Sequence, residues 1–258
     1  MTSRNVAERA IVGVSLKMYF GPAQTRFWLE SLREIVEELH ADDILDVFAL
    51  PSFLSIPTAQ EVFCGSRIDY GAQDVHWEER GAFTGEVSAA DLEELGCTVT
   101  AIGHAERRRL FGEDDETTAR KAEALVRRDI TPIVCIGETT QESVDEAVAA
   151  CRRQIDPVLA AVPDTADLVF AYEPVWAIGA PVPASPDRIV EIVRRLREVT
   201  GERGGRTRLM YGGSAGPGLY PQIAQSVDGL FFGRFVHDPD NLRAALTEIV
   251  GEVAGRPG

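Results

Sequence analysis

The sequence predicts an α/β fold built as a single (β/α)8 barrel, and three observations carry that prediction. Short apolar runs alternate with stretches of helical period eight times along the chain. Several runs are apolar almost throughout, such as Ile133-Val134-Cys135-Ile136, the pattern of strands buried on both faces of a helix-covered parallel sheet. The length of 258 residues is close to that of one such barrel, and no low-complexity segment, linker or shift in composition divides it. Strict alternation implies a parallel sheet, and eight units favour closure over the competing open, doubly wound arrangement.

The expected strands are Ala10–Leu16, Leu45–Leu50, Ile68–Gln73, Thr98–Gly103, Thr131–Gly137, Leu168–Glu173, Arg208–Gly212 and Gly229–Gly233. After the first, Leu29, Leu32, Val36 and Leu39 recur at helical spacing, with Glu30, Arg33, Glu34 and Glu37 on the other face. After the third, Ser88 reads as the N-cap of a helix over Ala89–Leu95, with Gly96 as its stop. After the sixth, Ser185 caps a helix that has Pro186 at its first position and Ile189, Ile192, Val193 and Leu196 as its buried stripe. A last helix is expected from Asn241 to Val253.

Composition narrows the function classes. The formal net charge of −15 argues against non-specific binding to nucleic acid or to acidic membranes, which need an excess of Lys and Arg. An anionic substrate would therefore need a local positive site inside a repelling field. Cys64, Cys97, Cys135 and Cys151 form no Cys-x-x-Cys pair, which suits a reducing cytosol better than a disulfide framework or a zinc site. The polar start of the chain is unlike a signal peptide, and no apolar run is long enough to span a bilayer. The expectation is a cytoplasmic protein.

In such barrels chemistry sits at the C-terminal ends of the strands and in the loops after them. Those positions hold Lys17 after strand one, His104 and Glu106 after strand four, and Glu173 at the end of strand six. They also hold Gly179 after strand six, Gly212, Gly213 and Ser214 after strand seven, and Gly233 after strand eight. Each has a plain alternative: a solvated lysine, a core histidine, a Glu106 paired with Arg107 or Arg108, a strand end at Glu173-Pro174, turn-forming glycines. Their coincidence on one rim favours a site.

The same segments resemble one family. Gly71-Ala72-Gln73-Asp74-Val75-His76 with Gly81-Ala82-Phe83-Thr84-Gly85-Glu86 is similar to the third loop of triosephosphate isomerases. Ile102-Gly103-His104-Ala105-Glu106-Arg107-Arg108 resembles their histidine motif, and Ala171-Tyr172-Glu173-Pro174-Val175-Trp176-Ala177-Ile178-Gly179 their catalytic glutamate and mobile loop. Tyr211-Gly212-Gly213-Ser214 and Asp228 through Gly233 resemble their two phosphate loops, so the likeness runs from strand one to strand eight. It implies a TIM barrel in which Glu173 is the base and neutral His104 donates to the oxyanion. Lys17 would add positive charge, with Glu106 holding the lysine. The phosphate would meet backbone N–H groups around Gly179, Ser214 and Gly233, near a short helix after strand eight, and residues 174–185 would form a lid. The resemblance also implies no metal and no organic cofactor, and a homodimer formed through the Phe83-Thr84-Gly85 loop.

The departures from the family cluster around the substrate. The lysine motif reads Ser15-Leu16-Lys17-Met18-Tyr19, where the family has asparagine in place of Ser15. Ala105 replaces the serine after the histidine, Ala180-Pro181-Val182 replaces Thr-Gly-Lys in the lid, and Arg234 replaces the second glycine of the last phosphate loop. Pro181 has no N–H, so the family's lid latch onto Ser214 must differ. Ser15 and Ala105 remove bulk or polar reach beside the reacting carbons, which suits a substrate longer than a triose, and the chain resembles a branch of the family that acts on four-carbon phosphates such as L-erythrulose 1-phosphate. The alternatives are an ordinary glycolytic triose enzyme with drifted surroundings, and a sugar-phosphate-binding barrel without catalysis. Arg234 either reaches the phosphate or points outward as a surface charge.

Overall fold

Eight strands close into one barrel in sequence order in the computed structural model, which describes residues 9–180 and 183–255. They are β1 (Ala10–Ser15), β2 (Leu45–Leu50), β3 (Asp69–Ala72), β4 (Val99–Ile102), β5 (Thr131–Ile136), β6 (Leu168–Tyr172), β7 (Thr207–Tyr211) and β8 (Gly229–Phe232). Neighbours are parallel throughout, and β1 closes the ring on β8 with Ile11 opposite Gly229 and Val14 opposite Phe232. All eight expected strands are present, and the differences lie at their ends. Leu16, Gly137, Glu173, Gly212 and Gly233 leave the ladder because the chain turns there onto the upper rim.

The α-helices among the described residues are α1 (Pro22–Glu38), α2 (Ile56–Val62), α3 (Ala89–Glu94), α4 (Ala105–Phe111), α5 (Asp115–Val126), α6 (Val144–Ala161), α7 (Pro186–Thr200), α8 (Tyr220–Ile223) and α9 (Pro239–Ala254). Helix α1 buries Trp28, Leu29, Leu32, Ile35 and Val36, and the Trp28 indole N–H donates to the Val236 carbonyl at 2.9 Å. Leu39, expected in that stripe, lies just past the last turn and is half-buried. Ser88 caps α3 by accepting the Asp91 N–H at 3.1 Å. Gly96 follows with φ of +75°, a left-handed stop that a side chain would strain. Ser185 caps α7, whose buried residues include the four expected from the sequence. Helix α9 begins two residues before the expected start because Asp238 caps it through the Asp240 N–H at 2.9 Å.

Two apolar layers result. Ile11, Phe48, Leu50, Val99, Ala101, Ile133, Val169, Met210 and Phe231 fill the barrel, and a larger cluster packs the helices on its outside. The lower rim is held by charge. Asp46 accepts from Arg9 at 2.6 Å and from the buried Arg208, and although burial alone would raise its pKa, these ion pairs hold its carboxyl below the usual range. No described helix is long and apolar enough to cross a membrane.

Candidate active site

Lys17 sits in the first turn after β1 with φ of +48°, a strained region for a lysine. Gln73 at the top of β3 holds that turn: its amide donates to the carbonyls of Lys17 at 3.0 Å and Leu50 at 2.9 Å. The Lys17 ammonium then meets Glu106 Oε1 at 2.9 Å. The lysine is therefore paired, not a loose surface charge. Arg107 and Arg108 are used elsewhere: Arg107 pairs with Asp74 at 2.8 Å and Glu113 at 2.6 Å, and Arg108 with Asp115 at 2.5 Å. That leaves Glu106 to Lys17, and although burial opposes ionisation, the lysine keeps the carboxyl below its ordinary pKa.

His104 is the N-cap of α4, and its Nδ1 accepts the Glu106 N–H at 3.1 Å. A neutral ring must then carry its proton on Nε2, the nitrogen facing the barrel axis region where Glu173 Oε2 lies 3.4 Å away. Burial first, and the charge of Lys17 second, push the imidazole down to about 4. A neutral donor at physiological pH follows.

Glu173 leaves β6 with its N–H donated to Ile136 at 2.7 Å. Its carboxyl packs against Gly212, where a Cβ would come within 2.6 Å of Oε1, so that position has no room for a side chain. Oε2 is buried and has no hydrogen-bond partner. Burial pushes the acid up to about 8, a tendency that Lys17 opposes and Glu106 adds to. A carboxyl with one buried oxygen left unpartnered, and a pKa near the working range, has the properties expected of a base.

The segment expected to form a lid begins just after it. The Ser214 hydroxyl donates to the Ala177 carbonyl at 2.6 Å and accepts the Gly179 N–H at 3.0 Å. The Gly179 N–H, expected to face a phosphate, is thus given to Ser214, whose free lone pair points at it once the hydroxyl has turned to Ala177. The expected change at Pro181 lies outside the described residues. Trp176 donates its indole N–H to Glu138 Oε1 at 3.0 Å, and Tyr172 and Arg188 reach the same buried carboxylate at 3.1 Å and 2.9 Å. Glu138 escaped the sequence reading although it follows β5 on the rim where site residues were sought.

Ser15, Lys17, His104, Glu106, Glu173, Gly179, Ser214, Gly233 and Arg234 all line one cavity of about 1010 Å³ at the C-terminal rim. The short helix expected after strand eight is a single turn of tight helix, Arg234–His237. Arg234 is exposed, lies 5.9 Å above the ring centre of Tyr19, and forms no ion pair among the described residues. No group of three or more His, Cys, Asp or Glu side chains placed to hold a metal occurs among the described residues.

The sequence profile described as triosephosphate isomerase matches residues 10–251. The chain belongs to the triosephosphate isomerase family. It is accordingly a sugar-phosphate isomerase. Within this family it is 44% identical to the L-erythrulose-1-phosphate isomerase of Pectobacterium atrosepticum, over 96% of this chain and 97% of that one. It is 38% identical to the triosephosphate isomerase of Thermus thermophilus, over 87% and 92%, and 39% identical to the L-erythrulose-1-phosphate isomerase of Rhizobium etli, over 86% of each. In triosephosphate isomerase terms, the residues expected to do the chemistry and those expected to hold the phosphate share one cavity here.

Proposed function

We propose that the protein isomerises a four-carbon ketose phosphate, L-erythrulose 1-phosphate, by proton transfer through an enediolate. The observation that carries the chemistry is the buried, unpartnered Glu173 carboxyl facing a neutral His104, with Lys17 alongside. Glu173 removes the proton from the carbinol carbon next to the ketone. The electron pair moves to the ketone oxygen, where His104 Nε2–H and the Lys17 ammonium receive the developing charge. Glu173 returns the proton to the former ketone carbon while the neighbouring hydroxyl proton passes by way of His104 to the former ketone oxygen, so that oxygen becomes the new hydroxyl and the carbonyl stands one carbon along. Lid closure keeps water from the enediolate. The phosphate rests near Ser214 and the backbone at Gly233, with the Arg234 guanidinium supplying charge at the mouth. Ser15 lines the same space, where its short side chain leaves room beside the reacting carbons.

Support for the four-carbon substrate comes from the relatives named for it in Pectobacterium and Rhizobium. The triose reading is favoured by the relative from Thermus, and the same groups would serve it. The deciding experiment measures isomerase activity on L-erythrulose 1-phosphate and glyceraldehyde 3-phosphate side by side, with Glu173→Gln as control. A higher kcat/KM on the four-carbon substrate is expected. A clear preference for the triose would replace this reading, and activity surviving in the control would remove Glu173 from its role.

The protein is also expected to pair with a second copy in the cytoplasm. Met18, Leu54 and Phe83 are exposed apolar side chains on the loops after three adjacent strands, β1, β2 and β3. Phe83 lies against His76 with ring centres 4.4 Å apart, which fixes the tip of the Phe83-Thr84-Gly85 loop. Light scattering at monomer mass across working concentrations would rule the pairing out.

A further inference from the structure

We propose that His237 is a positioning residue for the isomerisation, and that its hydrogen bond to Ser15 holds the backbone turn that keeps the Lys17 ammonium in the cavity. This role rests on the isomerase reading above, in which Lys17 receives developing charge, and adds what fixes the lysine in place. Ser15, Lys17 and Tyr19 line the cavity, and His237 stands behind them without lining it. Its Nε2 lies 3.2 Å from the Ser15 carbonyl, a partner 222 residues away in the chain. A carbonyl only accepts, so Nε2 carries a proton and donates it. Burial lowers the pKa of the ring, against the pull of the Ser15 carbonyl, and the charges of Lys17 and Arg234 lower it further. The ring is therefore neutral at physiological pH.

The lysine turn needs holding. Lys17 comes two residues after the end of β1 with φ of +48°, a conformation that is costly for a side chain. The ladder between β1 and β8 ends at the pair Val14–Phe232, so it gives Ser15 no partner in β8. On the other side the Leu50 carbonyl accepts the Leu16 N–H at 3.1 Å, and Gln73 donates to the Lys17 carbonyl at 3.0 Å. His237 supplies the matching restraint on the β8 side. Its own turn is anchored independently: Trp28 donates to the Val236 carbonyl at 2.9 Å and Asn241 to the Phe235 carbonyl at 3.1 Å. Tyr19 and Phe20, past the lysine, flank the same imidazole, with ring centres 5.4 Å and 4.9 Å from it. One side chain thus grips the segment from Ser15 to Phe20 at both ends, with Lys17 between.

The test compares kcat and KM for wild type, His237→Gln, His237→Met and Lys17→Ala. The substrate is whichever of L-erythrulose 1-phosphate and glyceraldehyde 3-phosphate the wild type turns over faster. Glutamine and methionine are alike in length and both lack the ring, but only glutamine can donate to the Ser15 carbonyl. His237→Met is expected to lower kcat about tenfold by letting the ammonium drift, with KM changed by no more than about twofold. His237→Gln should recover most of that loss. Any destabilisation from losing the ring contacts is common to both variants and cannot imitate the difference. Equal kcat in the two, or a rise in KM alone, would overturn the positioning role while leaving the isomerase reading intact. Lys17→Ala should lower kcat about a hundredfold or more; full turnover in that variant would instead overturn the lysine's part in the reading beneath.

Discussion

Replacing Glu173 by glutamine should abolish turnover and, at the same time, stabilise the protein in a pH-dependent way. In the native state burial keeps the carboxyl protonated up to about 8, while an unfolded chain releases that proton near 4.5. Between those values the native state binds more protons than the unfolded one, so wild-type stability falls as pH rises through the interval and is level above it. At about 1.4 kcal/mol for each pH unit, the interval from 4.5 to about 8 sets a ceiling of about 5 kcal/mol for the wild-type penalty. Lid opening lets water reach the carboxylate, and the glutamine amide is itself buried without a full set of partners, so about 2 kcal/mol is expected in practice. Denaturant unfolding at pH 4, 6 and 9, at one fixed protein concentration, should show the two proteins equal at pH 4 and the variant ahead at pH 9. A gap independent of pH, or a variant less stable at pH 9, would refute the claim that burial disfavours an ionised Glu173.

Three other outcomes are expected. Ser214→Ala removes both hydrogen bonds that hold the lid, to Ala177 and to Gly179; at about 1 kcal/mol each, kcat should fall roughly 10- to 30-fold, with unfolding midpoints unchanged. Lys121→Met leaves Asp74 and Glu113, which lie 2.7 Å and 2.6 Å from the buried ammonium, to share Arg107 alone, and should cost up to about 3 kcal/mol in chemical denaturation. Arg234→Ala should raise KM several-fold for either phosphorylated substrate with little change in kcat, and should flatten the dependence of KM on salt, measured between low and physiological ionic strength.

The barrel could be read from the sequence because most of the strands are short apolar runs and several breaks between elements fall on glycine, proline or a capping serine such as Ser88 or Ser185. The site could be read because the fold sends one end of every strand to the same rim, so Lys17, His104 and Glu173 needed only their positions to be suspected. What stayed hidden depends on pairs far apart in the chain. Asp74 and Lys121 are 47 residues apart, and Glu138 and Arg188 are 50 apart. No local period marks such partners. That one hydroxyl serves both Ala177 and Gly179 depends on a rotamer of Ser214, which no sequence pattern encodes.

The ion-paired lower rim, with Asp46 between Arg9 and Arg208, lies at the opposite end of the strands from every residue assigned to chemistry. Such a division makes the molecule evolvable. Substitutions on the upper loops can retune which sugar phosphate is accepted while the clamp below keeps the ring closed, and they draw little on its margin of stability. A change such as alanine at 105 can therefore be tried, kept or reversed without first solving the folding problem again. One barrel can thus serve substrates that differ by a single carbon.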